Sequence, residues 1–159
     1  MKTTLTFIFI LTFCCSVYSQ ENLKIKQIDA FILGINTSTL PVQHDTLIQD
    51  HPEMGLKMIT FLTMIVNGGE LIKYVNFVNT TMTENGGTRQ MITSSSFYYD
   101  HNKLIKVEEY LIEGDKKKTM DWYYAEDKPL YYTLQSDKAA DRATLLLTIS
   151  KGMLKQGIK

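Results

Sequence analysis

The sequence predicts an α+β fold: an antiparallel β-meander of about six strands over residues 56–134, flanked by an N-terminal helix and a C-terminal helix. Three observations predict it. Apolar residues recur at spacings of three and four on both sides of the central region, the period of an amphipathic helix. Between them lie β-branched and aromatic runs in which side chains alternate, the period of a strand. Short Gly, Asn and Asp clusters separate those runs, and these residues tolerate the positive φ that tight hairpins need.

The first nineteen residues read as a cleavable secretory signal. Met1-Lys2 supplies a positive start, Leu5 to Phe13 is almost purely apolar, and Val17-Tyr18-Ser19 precedes Gln20 as a cleavage site. The apolar run is shorter than the ~20 residues that span a bilayer, so no stable membrane span is expected after cleavage. Cys14 and Cys15 sit near the cleavage zone, but Phe13 stands where a lipobox needs a small residue. The division expected is a signal over 1–19 and a single α+β domain over 20–159, in a periplasmic or secreted location.

Export carries two consequences. Both cysteines of the chain lie in the signal, so the exported protein has neither disulfides nor a thiol nucleophile. The chain has 17 basic and 17 acidic residues, and loss of Lys2 leaves a formal charge of −1. A nearly neutral chain gives no electrostatic case for nucleic acid.

Asn22 to Ile35 reads as a helix, with Ile25, Ile28, Ile32 and Ile35 on one stripe and Gly34 and Asn36 weakening its end. Thr37 to Pro52 is polar, holds two prolines and has no period, so it reads as a loop. The strands expected are Leu56–Val66, Glu70–Met82, Thr88–Tyr99, Leu104–Ile112, Lys117–Tyr124 and Leu130–Leu134. Ser136-Asp137 can cap the last helix, where Ala139, Ala143, Leu146, Ser150 and Met153 keep helical spacing. Thr144 to Ile149 is also β-favourable; the Ala-rich start and the lack of an internal turn favour helix.

In outline, a long terminal helix after a meander is similar to helix-grip folds, and a single covered sheet face is similar to lipoprotein-carrier half barrels. No motif supports either, so no residue is carried over. There is also an internal echo. Tyr98-Tyr99-Asp100-His101-Asn102-Lys103-Leu104 resembles Tyr123-Tyr124-Ala125-Glu126-Asp127-Lys128-Pro129-Leu130. The pattern resembles the aromatic-turn-Lys hairpins of bacterial hairpin-repeat proteins, some antitoxin and immunity families among them; it equally suits two ordinary hairpins.

Several constellations invite chemistry. His44, Asp45, Asp50 and His51 fall in the expected loop and could ligate a divalent metal, although their spacing matches no familiar site. Glu108 and Glu109 are adjacent on a strand and so point to opposite faces. Either could meet Asp121 across a hairpin, but Lys106, Lys116, Lys117 and Lys118 offer easier partners. No serine lies in a nucleophile elbow, and Gly68-Gly69 and Gly86-Gly87 read as hairpin turns, not phosphate loops. No cofactor is called for.

The aromatic residues are the most informative group. Tyr98, Tyr99, Tyr110, Trp122, Tyr123, Tyr124, Tyr131 and Tyr132 all fall on the later strands. Alternation places Trp122 and Tyr124 on one face and Tyr123 on the other, and splits Tyr131 from Tyr132. One set packs under a helix. The other either packs across strands or forms a platform for a partner, with Tyr99, Tyr110, Trp122, Tyr123 and Tyr131 as candidates. The sequence thus suggests a non-catalytic binding module of partner-protein, inhibitor or immunity type. A carrier of an apolar ligand between sheet and C-terminal helix, and a metal-dependent hydrolase built on the loop His and Asp residues, are the alternatives.

Overall fold

Long runs of alternating side chains, broken only by turn residues, close into one antiparallel sheet whose seven strands lie side by side in chain order. The structure is a computed structural model that describes the backbone of residues 2–84 and 86–156 and the side chains of 20–84 and 86–155. The signal read over 1–19 lies outside the described side chains. The chain forms two compact units, Met1–Thr37 and Ser38–Lys159.

The first unit is α1 (Lys2–Thr37). It contains the helix expected over 22–35. Ile25, Ile28, Ile32 and Ile35 fall at spacings of three and four along it and so share one side of the helix.

The second unit holds β1 (Val42–His51), β2 (Leu56–Asn67), β3 (Glu70–Glu84), β4 (Gly87–Asp100), β5 (Lys103–Glu113), β6 (Lys116–Ala125), β7 (Lys128–Tyr132) and α2 (Ala139–Gln156). Six of the strands match the meander expected from the sequence. β1 is a correction, because it occupies the segment read as a loop. It pairs with β2 in an unbroken register from Val42 opposite Ile65 to His51 opposite Leu56. Nearly all of it is exposed on both faces. A strand with no buried face has nothing to impose alternation on its sequence, so its period is invisible.

The echo between the two Tyr-Tyr segments has a structural counterpart. In each, the register shifts between the two tyrosines, at Tyr98/Tyr99 and at Tyr123/Tyr124. In each, the turn carries two successive left-handed residues, His101-Asn102 and Glu126-Asp127. A third hairpin at Ile65/Val66 shifts in the same way before left-handed Gly68 and Gly69. Paired positive φ matches the twist of a two-residue hairpin, and each bulge sharpens that twist. The bulges also break strict alternation, which is how Leu71 and Tyr74 both face the core.

At the opposite end of the sheet, the turn from β1 to β2 depends on Gly55. Its φ is +59°, and a Cβ there would lie 2.3 Å from the Thr83 carbonyl oxygen. The Thr83 amide in turn donates to Gly55 O at 2.7 Å. Any side chain at 55 would force this contact apart.

The core lies between one sheet face and α2. Leu71, Phe97, Tyr99, Leu104, Val107, Trp122 and Tyr124 meet Ala139, Ala143, Leu146 and Leu147. Small residues at 139 and 143 let the helix approach the rings closely. The Tyr124 hydroxyl donates to Ala143 O at 3.0 Å, and the Tyr99 hydroxyl reaches Met153 Sδ at 3.8 Å. Burial pushes the Tyr99 phenol up to about 12. Burial, and then the Glu109 charge, raise Tyr124 as well. Before α2, the Lys138 amide donates to Ser136 Oγ at 3.2 Å and the Ala139 amide to Ser136 O at 3.1 Å, consistent with the expected start signal. Residues 144–149 are helical; Thr144 and Thr148 hydroxyls each donate to the carbonyl four residues back, at 3.0 Å.

Candidate functional site

The site is built where α2 begins over the middle of the sheet. The sheet is longer than the helix contact, so a cleft of about 450 Å³ opens beside the helix start. Leu111, Met120, Trp122 and Leu134 supply its apolar wall. Lys138 and Arg142 contribute the helix side. Volumes of roughly 300–1,000 Å³ with few polar groups are typical of small-ligand sites.

Glu109 forms the polar floor. It is only 7% exposed and sits on the α2 face, as alternation from Glu108 requires. Ser95 Oγ donates to its Oε1 at 3.2 Å, Arg142 Nε donates to its Oε2 at 3.2 Å, and Arg142 Nη2 also bonds Oε1. This forked pairing holds the Arg142 guanidinium above its ordinary range. A buried carboxylate is tolerated here because both oxygens are paired. Trp122 is fully buried on the same wall, and its indole Nε1 has no hydrogen-bond partner among the described residues.

The opposite sheet face carries a second polar network. Tyr98 Oη donates to Glu108 Oε2 at 2.9 Å, and Lys106 Nζ lies 2.9 Å from Glu108 Oε1. The Lys106 ammonium sits 4.7 Å from the Tyr123 ring centre, and Lys73 Nζ 4.9 Å from that of Tyr98. Burial lowers Lys73, opposed by the nearby Glu108 charge. Glu108 stands opposite Asp121 in register, as one reading of the acids allowed, but Lys106 is its close partner.

The five aromatic candidates do not share a face. Tyr99 and Trp122 are in the core under α2. Tyr123 is buried on the other face, its ring tilted against that of Tyr131 with centroids 6.0 Å apart. Tyr131 is 44% exposed. Tyr110 is half-buried, with Lys117 Nζ 5.5 Å from its ring centre. The splits of Trp122 from Tyr123 and of Tyr131 from Tyr132 fall as expected, since Tyr132 packs on Trp122.

The four metal candidates fall on β1 rather than on a loop. His44 and Asp45 are neighbours on a strand, as are Asp50 and His51, so each pair splits across the two faces. His44 and Asp50 share a face but lie roughly 20 Å apart along the strand. No group of three or more potential metal-binding side chains converges among the described residues. His51 instead lies 3.5 Å from Glu53, and His101 2.7 Å from Asp100.

Arg142 is the site residue that sequence reading missed. Its signal was available: it stands three residues after Ala139 and four before Leu146, on the border of the core stripe, where a basic residue needs a buried acid. Asn79, which opens a formal N-glycosylation sequon with Thr80 and Thr81, lies within β3, its Oδ1 accepting from Gln90 Nε2 at 3.0 Å.

No protein-family model, no curated protein and no solved structure matches the chain. No described helix is long and apolar enough to cross a membrane, which says nothing of strands.

Proposed function

We propose that this protein is a non-catalytic binding module that takes a small amphipathic ligand, an apolar chain with an anionic head, into the cleft beside the start of α2. The observation that carries this is the lining: apolar side chains from β5, β6 and the segment before α2, with two cations on the helix side. Glu109 already accepts from Ser95 and from Arg142, so the buried acid positions Arg142 rather than serving as a general base. Lys138 provides the charge for a carboxylate head. Export belongs to the same proposal and predicts that the protein recovered from its host begins at Gln20, which N-terminal sequencing reads directly.

Trp122 is the single tryptophan of the chain and lines the cleft, so its emission reports occupancy. Titration with decanoate should give a saturable change in that emission. Leu134→Glu should abolish it, and Lys138→Ala should weaken decanoate more than decanol. An unchanged spectrum to millimolar decanoate would overturn this reading.

A second reading, a partner-protein module, draws on the exposed Tyr131 packed against Tyr123. Tyr131→Ala should then reduce capture of an identified envelope partner and leave decanoate binding unchanged.

A further inference from the structure

We infer that β1 is a self-association edge, and that two copies of this chain join β1 to β1 across a two-fold axis centred on Leu47. This goes beyond the ligand reading and does not depend on it.

The two edges of the sheet differ. β7 is short, begins Lys128-Pro129 and follows a register shift. Such features blunt an edge against further pairing. β1 has ten residues, no Pro, Gly or Lys, and no register shift against β2. Its outer rim is therefore a long, regular template of backbone donors and acceptors. Leu47 and Ile48 on it are 52% and 61% exposed.

The side chains identify the second copy as the occupant. A two-fold perpendicular to the sheet keeps each face on its own side, so the axis must pass through one residue position and pair residues of like parity. Centring on Leu47 sets Leu47 against the second copy's Leu47, and Thr46 against its Ile48. It sets His44 against the second copy's Asp50, twice by symmetry. Gln43 faces His51, and Asp45 faces Gln49. Every position from 43 to 51 is paired, and no like charges meet. Centring on Thr46 would put Asp45 against Leu47 and Val42 against Asp50. Centring on Ile48 would shorten the overlap and put Leu47 against Gln49 and Thr46 against Asp50.

His44 is prepared for this contact. Its Nδ1 lies 3.1 Å from Thr63 Oγ1 on β2, which fixes the ring and leaves Nε2 for the carboxylate. The Thr46 amide, which donates to Asp45 Oδ1 at 2.7 Å, is bonded by a side chain of its own strand and can exchange that bond for a carbonyl of the second copy.

Sedimentation equilibrium on the purified exported chain tests the proposal. The native protein should be a dimer in the micromolar range. Leu47→Lys, at an exposed position, should give a monomer with unchanged circular dichroism. His44→Asp should weaken association about tenfold by setting Asp against Asp twice. The exchange H44D/D50H should restore the native Kd to within about threefold, because each pair is re-formed in reverse. A native monomer at about 100 µM, a dimer indifferent to Leu47→Lys, or an H44D/D50H exchange that fails to restore association would each overturn it.

Discussion

The two flanks of the sheet are built from similar strands but covered differently. β4 to β6 carry α2 on one face, and their inward residues Tyr99, Val107, Trp122 and Tyr124 are fully buried. β1 is exposed along nearly all of its length, Val42, Leu47 and Ile48 included, and Phe61 on β2 is exposed too, although Met64 and Val66 of β2 reach the core. The covered flank holds the fold by burial and shapes the cleft at its border. The bare flank contributes backbone pairing and an unprotected rim. Under the two proposals, the sheet separates stability from association along its width, with the ligand cleft where the cover ends.

The sharpest way to break that contrast is to truncate a ring on each side. Trp122→Ala should destabilise by ~3–5 kcal/mol, because it leaves a cavity under α2. Phe61→Ala should lose less than ~1 kcal/mol, since its ring is 44% exposed and tilts against Phe77 at 5.9 Å. Urea denaturation of both variants makes the comparison, and equal losses would mean that both flanks are core.

Next in size is the floor of the cleft. Arg142→Ala should destabilise by about 2 kcal/mol, as it strands the buried Glu109 carboxylate; the partly exposed guanidinium keeps the loss below that of a fully buried pair. The double change E109L/R142A should recover most of that loss, and a failure to recover would show that Glu109 contributes through Ser95 rather than Arg142.

Alkaline pH should act on the covered flank too. Folding raises Tyr99 to about 12, so between pH 10 and that value the unfolded chain ionises while the folded one stays neutral. The stability contribution is fully present below pH 10 and is lost as pH rises through the folded value, on the order of 2 kcal/mol. Tyr99→Phe should make that part of the pH profile shallower, the remaining slope coming from Tyr124, which burial also raises. The smallest expected effect is Leu47→Lys, which should leave monomer stability within about 0.5 kcal/mol while abolishing association.

What was legible in the sequence follows the same division. The meander, its hairpins and α2 could be read because burial on one face imposes a period and tight turns demand particular residues. Gly68-Gly69 and the two Tyr-Tyr echoes announced their turns. β1 could not be read, because Gln43, His44, Gln49 and Asp50 meet no core that would sort them. The candidate site was half legible. Alternation split Glu108 from Glu109 and Trp122 from Tyr123, but it did not reveal which face α2 would cover. That choice buried Tyr99 and Trp122 instead of presenting them. The Arg142–Glu109 bond joins residues far apart in sequence, and only the helix docking brings them together.

The most direct test of the cleft as the binding site is a map of backbone amide chemical shifts with and without decanoate. The account predicts perturbations concentrated at Leu111, Met120, Trp122, Leu134 and Arg142, with β1 and β2 unaffected. Perturbations confined to the bare flank, or none at saturating decanoate, would contradict it.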